Sequence, residues 1–103
     1  MRFIKPGSLS GNSMILDVRT LEEYRRAALK IPHIHRELTE LRPLEFIKEN
    51  GLTGADTLNI LCASGNRASQ AAEMFEKAGF DNVAVIIGGI VDAEYSGLEI
   101  IKH

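Results

Sequence analysis

The sequence predicts an α/β fold of the doubly wound type, in which a parallel β-sheet is covered by helices on both faces. Three short segments, 14–18, 57–62 and 83–87, are largely apolar, as strands buried on both sides are. Segments with helical spacing separate these strands, and the clearest of them spans 68–78. Alternation of strand and helix is typical of βαβ units, which place their strands in parallel.

The first predicted helix follows the strand at 14–18. Thr20 and Glu23 have the spacing of a capping box, which marks a helix start. One face of this helix carries Leu21, Tyr24 and Ala28. Pro32 ends the segment, and a brief strand is expected over 31–35.

The later elements have clear boundary residues. Pro43 suits the first position of a second helix, which Gly51 would stop. The helix over 68–78 presents a face of small alanines and ends at Gly79. Gly88 and Gly89 predict a turn after the strand at 83–87, and a short last helix is expected beyond it.

The composition favours one soluble domain spanning residues 1–103. Hydrophobic residues make up 45% and charged residues 25%, which is ordinary for a globular domain. A net charge of −2 argues against a nucleic-acid partner. One cysteine, Cys62, leaves no internal disulfide and no zinc site built from several thiolates. No apolar run approaches the ~20 residues of a membrane helix and no signal-peptide pattern is visible, so we expect a cytoplasmic protein without a membrane partner.

Three chemically informative residues follow the predicted strands. Asp17 ends the first strand, Cys62 the second, and Gly88 comes just after the third. Ligands of parallel α/β sheets bind beyond the carboxyl ends of the strands. If the strands are parallel, these positions converge on one crevice.

The segment from Cys62 to Arg67 carries the chemistry. A thiol at a strand end is followed by a tight loop with Gly65 and Asn66, and a helix starts near Arg67. Inward-pointing backbone N–H groups, the helix N-terminus and the Arg67 charge all favour an anion here. They favour the thiolate, which is the nucleophilic form of cysteine. The alternative interpretation is an inert, buried core cysteine.

The chain resembles the single-domain rhodanese family. Residues 62–90 resemble the second half of such a domain, and residues 16–19 with 22–24 are similar to its first-strand motif and helix. Residues 97–98 resemble its closing segment. The resemblance implies a five-stranded, mostly parallel sheet with helices on both faces.

The resemblance also implies a reaction, sulfur transfer through a persulfide on Cys62. The donor would be thiosulfate or a persulfide, and the acceptor a thiol or cyanide, with a protein partner conceivable on either side. No cofactor and no metal would be needed. Arg67 would bind an anionic group of the donor and shape the loop. The N–H groups that would hold the outer sulfur belong to the family's active-site loop, which here is Ala63, Ser64, Gly65, Asn66 and Arg67.

The length of the loop distinguishes two kinds of chemistry. Phosphatases of the same fold have a loop one residue longer, so the loop length favours sulfur over phosphate or arsenate chemistry.

Other features depart from the rhodanese family. Ala63 stands where thiosulfate users often have arginine, which makes a bulkier persulfide donor more plausible than thiosulfate. The chain keeps only Ile31-Pro32 of the family's usual motif at 29–35, and it has no tryptophan near Asp92 and Ala93.

The remaining polar residues have structural interpretations. Asp17 would accept hydrogen bonds or pair with a cation, and Arg19 is its candidate partner. His33 and His35 would share a strand face, but nothing nearby completes a metal site with them. Glu22 and Glu23 would serve the helix start.

Two other functions stay open at this stage. The chain could be a binding or redox-sensing module without turnover, or a small phosphatase or arsenate reductase. The presence of both Cys62 and Arg67 argues against the first, and the loop length argues against the second.

Overall fold

The computed structural model describes residues 1–103 as seven strands and four helices. The strands are β1 (Arg2–Ile4), β2 (Met14–Asp17), β3 (Ala27–Leu29), β4 (Ile34–His35), β5 (Leu58–Leu61), β6 (Val83–Ile86) and β7 (Ile100–Lys102). The helices are α1 (Leu21–Arg26), α2 (Pro43–Glu49), α3 (Asn66–Lys77) and α4 (Gly89–Tyr95). None of the helices combines the length and the apolar character that crossing a membrane requires.

Five strands form the main sheet in the order β1-β6-β5-β2-β4. Every neighbouring pair is parallel, so the predicted five-stranded α/β sheet is confirmed, and it is parallel throughout. The register pairs Asp17 of β2 with Leu61 of β5. The carboxyl ends of these central strands therefore lie at the same edge of the sheet.

Each face of the sheet has its own hydrophobic core. Along β2 the side chains alternate, with Leu16 in the larger cluster and Ile15 in the smaller one. The larger cluster receives Phe46 from α2 and Phe75 from α3. The smaller cluster receives Ala93 from α4, so helices cover both faces as the sequence predicts.

Helix α3 packs closely on the sheet because its inner face is small. Ala68, Ala71 and Ala72 have no exposed surface. Phe75 is equally buried and meets the rings of Phe46 and Phe80 edge to face, at centroid distances of 5.7 and 6.2 Å. The helix stops before Gly79, whose φ of +92° favours glycine.

One predicted element is shorter than expected. The capping box of Thr20 and Glu23 is present, but α1 ends at Arg26, and Ala28 lies in strand β3 rather than on a helix face. Strand β3 pairs antiparallel with β7 in a separate two-stranded sheet. Pairing with β7 satisfies the β3 backbone and buries Leu29 in the smaller core, and local periodicity could not show this distant partner.

The two outer strands of the main sheet also differ from the sequence analysis. Strand β1 was not predicted, because Arg2–Ile4 is short and largely exposed at the sheet edge. The strand expected over 31–35 is reduced to Ile34–His35 on the opposite edge. Both edges carry weaker sequence signals than the buried central strands.

Truncation of Phe75 tests the larger core. We expect Phe75→Ala to lower the free energy of unfolding by about 3–5 kcal/mol, because it leaves a cavity between two rings and the sheet. Leu44→Ala is the control, because Leu44 is 68% exposed and its loss should cost less than about 0.5 kcal/mol. Equal losses in urea unfolding would contradict this assignment of the core.

Candidate active site

Cys62 lies immediately after β5, at the carboxyl edge of the sheet. The residue is only 1% exposed. Its Sγ accepts a hydrogen bond from the backbone N–H of Gly65 at 2.8 Å. Its carbonyl accepts the N–H of Ile90 at 3.0 Å, which ties the start of α4 to the same residue. The thiol therefore faces a backbone donor inside a folded loop.

The loop after Cys62 leads directly into α3. Gly65 has a φ of +112°, a left-handed conformation that glycine adopts without strain. Its carbonyl accepts both the N–H of Ser69 at 3.0 Å and the Ser69 hydroxyl at 3.1 Å. Ser64 and Asn66 are exposed, and Ala63 is half-buried. The first turn of α3 contains no acidic residue, so no carboxylate of this helix offsets its positive end.

The two glycines after β6 let α4 approach the loop. A Cβ atom on Gly89 would lie 2.1 Å from the carbonyl oxygen of Cys62 and 2.4 Å from that of Ala63. A Cβ on Gly88 would meet the carboxylate of Asp92 at 1.8 Å. The turn that the sequence predicts here is confirmed, and its glycines are also needed for space.

Arg67 forms a bidentate ion pair with Glu23. Its Nη1 donates to Glu23 Oε1 at 2.6 Å and its Nη2 to Glu23 Oε2 at 2.9 Å. Glu23 Oε1 also accepts the N–H of Thr20 at 3.1 Å and the Thr20 hydroxyl at 3.0 Å. The sequence alone predicts only a capping role for Glu23. Its contact with Arg67 joins residues 44 positions apart, and no local pattern signals it.

The ion pair keeps both of its members charged. Hydrogen bonding from Arg67 lowers the pKa of Glu23 from 4.5 to about 2, and this outweighs the opposite effect of burial. The same hydrogen bonds raise the pKa of Arg67. The positive charge that the sequence assigns to the loop is thus balanced by a fixed carboxylate.

Asp17 and Arg19 form a second ion pair at this edge, and it is buried. Arg19 donates to Asp17 through Nη2 at 2.7 Å, through Nε at 3.1 Å and through its backbone N–H at 3.0 Å. The two side chains are 0% and 3% exposed. Arg19 Nη2 also donates to the carbonyl of Ala27 at 2.8 Å. The hydrogen bonds of Asp17 go to Arg19, so its carboxylate is committed to this pair and not to the Cys62 loop.

His33 and His35 both contact Tyr24. The Tyr24 hydroxyl is 2.7 Å from His33 Nε2, and the Tyr24 ring stacks on His35 at a centroid distance of 4.2 Å. His33 Nδ1 faces the carbonyl of Ile31 at 2.8 Å, and His35 Nε2 faces that of Arg19 at 2.7 Å. Each ring therefore donates to a backbone carbonyl, and no group of three or more metal-binding side chains gathers anywhere in the structure.

A depression of about 210 Å³ lies beside the loop. Polar loop residues form one wall, and the exposed side chains of Phe3 and Ile87 contribute an apolar wall. No pattern in the sequence signals this depression, because Phe3 belongs to strand β1, which the sequence does not predict. The lining residues are Phe3, Ser64, Gly65, Asn66, Ser69, Val85, Ile87 and Gly88.

The contact between Gly89 and the loop predicts a specific sensitivity. We expect Gly89→Ala to lower the free energy of unfolding by at least about 2 kcal/mol, because the left-handed φ of +60° disfavours alanine and its Cβ would meet backbone oxygens. Gly54→Ala is the matched control, since a Cβ there meets nothing within 4 Å. If both variants unfold at the same urea concentration, the close approach is wrong.

The ion pair between Glu23 and Arg67 predicts a pH dependence. The folded-state pKa of Glu23 is lowered, so its contribution to stability is present above pH 4.5 and is lost as the pH falls towards about 2. The stability difference between the wild type and Glu23→Gln should therefore shrink over that interval. Urea unfolding at several pH values measures it, and a difference that does not change with pH would contradict the pair.

Comparison with known proteins agrees with this architecture. The family model described as a rhodanese-like domain matches residues 8–94. The "Putative sulfur carrier protein YrkF" of Bacillus subtilis (strain 168) is 38% identical over 79 residues, which are 76% of this chain. The chain spans only 40% of the length of that relative.

Solved structures of rhodanese-like proteins are similar to this chain in fold. A rhodanese-related protein from Thermoplasma volcanium is 27% identical with a TM-score of 0.77, over 98% of each chain. A rhodanese-like domain protein from Staphylococcus aureus is 26% identical with a TM-score of 0.71, over 100% of each chain. An NAD-dependent persulfide reductase from A. fulgidus is 27% identical with a TM-score of 0.68, over 88% of this chain and 16% of that one. From the extent of the family match and this shared fold, the chain belongs to the rhodanese-like domain family.

Proposed function

We propose that this protein is a sulfurtransferase that carries sulfur as a persulfide on Cys62. The observation that carries the proposal is the 2.8 Å hydrogen bond from the Gly65 N–H to Cys62 Sγ, inside a loop that opens a 12-residue helix. Backbone donors at a helix N-terminus stabilise negative charge on sulfur, both in a thiolate and in a persulfide. In this proposal, residues 1–103 act as one domain.

The reaction has two half-reactions. The Cys62 thiolate attacks the sulfane sulfur of the donor, and the donor's S–S bond breaks with its electron pair leaving on sulfite or on a thiolate. The acceptor thiolate then attacks the outer sulfur of the Cys62 persulfide, and Cys62 leaves as a thiolate. With cyanide as acceptor the product is thiocyanate. Electrons balance without a cofactor, and the covalent intermediate implies ping-pong kinetics.

Several observations favour a persulfide over thiosulfate as the sulfur donor. Ala63 and the other residues between Cys62 and Arg67 carry no charge. The depression beside the loop has room for a donor larger than thiosulfate and offers it an apolar wall. Among the similar proteins, one is named a sulfur carrier and another a persulfide reductase. These observations support a small-molecule or protein persulfide as donor, and a thiol as acceptor.

A second candidate is a binding or redox-sensing module that does not turn over. The observation in its favour is the burial of Cys62, which is 1% exposed. A sulfur donor must reach this atom, whereas a module that recognises a partner through the loop surface need not expose it. The presence of a persulfide after reaction with a donor separates the two candidates.

The mass of the intact protein tests the proposal. Reduced protein treated with a low-molecular-weight persulfide should gain the mass of one sulfur atom, because the Cys62 thiolate accepts a single sulfane sulfur. The Cys62→Ser variant, with circular dichroism to verify its fold, should gain nothing. A gain that persists in Cys62→Ser would exclude Cys62 as the acceptor, and no gain in the folded wild type would favour the non-catalytic module.

A further inference from the structure

We propose that Glu23 sets the donor specificity of the Cys62 site, by neutralising Arg67 and so selecting against dianionic thiosulfate in favour of donors with less negative charge. This inference rests on the proposed sulfur transfer and assigns its substrate class. Glu23 is not a catalytic residue, because its carboxylate contacts Arg67 and Thr20 rather than the thiol. It acts on the reaction through the charge that it balances.

Arg67 is the only charged residue of the loop, and its guanidinium interacts electrostatically with Cys62. Both of its terminal nitrogens point to Glu23, at 2.6 and 2.9 Å. A bidentate pair of this kind occupies the N–H donors on the edge of the guanidinium that would otherwise bind an oxyanion. A sulfonate group of thiosulfate would have to displace the carboxylate to bind there.

The position of Glu23 is fixed by its own helix. The capping box holds the carboxylate through the Thr20 N–H and hydroxyl, while the Thr20 oxygen accepts the N–H of Glu23 at 3.2 Å. Glu23 stays ionised at neutral pH, since Arg67 lowers its pKa to about 2. The carboxylate is therefore a permanent negative charge opposite the loop.

No other arginine of the site replaces the neutralised charge. Two other arginines follow strands at this edge of the sheet. Arg19 is paired with Asp17 and is 3% exposed, and Arg36, after β4, is paired with Glu49 at 3.6 Å. The stabilisation that remains for an anion comes from the uncharged N–H of Gly65 and from the positive end of α3. Dipoles of this kind suit one negative charge on sulfur better than the two charges of thiosulfate.

A matched pair of donors isolates the effect of charge. Methanethiosulfonate replaces one charged oxygen of thiosulfate by a methyl group, so it offers the same sulfane sulfur with one negative charge instead of two. The measured quantity is the ratio of kcat/KM for thiosulfate to kcat/KM for methanethiosulfonate, with cyanide as acceptor. In Glu23→Gln we expect this ratio to rise about tenfold, since one unpaired positive charge then faces one extra negative charge. The rise should diminish in high salt.

The variants are chosen so that the fold is kept. Glutamine serves in a capping box as glutamate does, so Glu23→Gln leaves the start of α1 intact. Glu22→Gln is the control for net charge, because Glu22 is on the same helix but pairs only with Arg26 and is 76% exposed. Its donor ratio should equal that of the wild type.

Replacement of Arg67 gives an independent test. Arg67→Gln leaves Glu23 unpaired beside the loop, so the donor ratio should fall below that of the wild type. In Glu23→Gln combined with Arg67→Gln the pair is again neutral, and the ratio should return to within about threefold of the wild type. A purely structural role for the pair would lower both donors equally in every variant.

The outcomes distinguish the inference from the proposed function. If the wild type forms a persulfide and the ratio is unchanged in Glu23→Gln and in Arg67→Gln, the inference is wrong and the sulfur transfer stands. If neither donor places sulfur on the wild type, sulfur transfer from these donors fails and the inference fails with it. A ratio that rises in Glu23→Gln, falls in Arg67→Gln and stays constant in Glu22→Gln supports it.

Discussion

Parallel pairing of β2, β5 and β6 is the constraint on which the rest of the structure depends. It places Asp17, Cys62 and the turn after β6 at one edge of the sheet, although they are far apart in the chain. The N-terminus of α3 follows at that same edge. Antiparallel pairing of β5 with either neighbour would separate the thiol from the residues that surround it. The position of the site is therefore a consequence of topology before it is a consequence of any single contact.

The two carboxylate–arginine pairs at this edge of the sheet differ in burial and in what they position. The buried pair of Asp17 and Arg19 closes the turn after β2 and, through the Ala27 carbonyl, fixes where β3 begins. Because that turn is fixed, α1 starts where Glu23 can reach Arg67 on α3. Loss of one member of a fully buried pair is expensive, whereas the half-exposed pair of Glu23 and Arg67 is screened by solvent. The first pair thus suits a structural role, and the second is the pair to which we assign a role in donor specificity.

The sequence predicted what depends on local pattern. Strands β2, β5 and β6, the alanine face of α3 and the capping box at Thr20 all have signals within a few residues, and all are present. The helix predicted to reach Ala28 ended early because β7, at the other end of the chain, supplies its strand partner. The pair of Glu23 and Arg67 was missed for the same reason, since nothing near either residue specifies the other. The residues of the loop could be identified from the sequence, whereas the pairing that balances the charge of Arg67 depends on the fold.

In the proposed reaction, the balance of charge bears on how sulfur leaves Cys62 again. A carrier must stabilise an anionic persulfide enough to form it and not so strongly that an acceptor thiolate cannot remove the outer sulfur. A free guanidinium beside the loop would bind anions of every kind, including sulfite and the persulfide itself. With Glu23 on Arg67, a negative charge formed at Cys62 in the proposed reaction would be stabilised by the Gly65 N–H and the end of α3. These donors are fixed and short in range, so in the proposed reaction they stabilise charge on sulfur at one position without holding a departing anion.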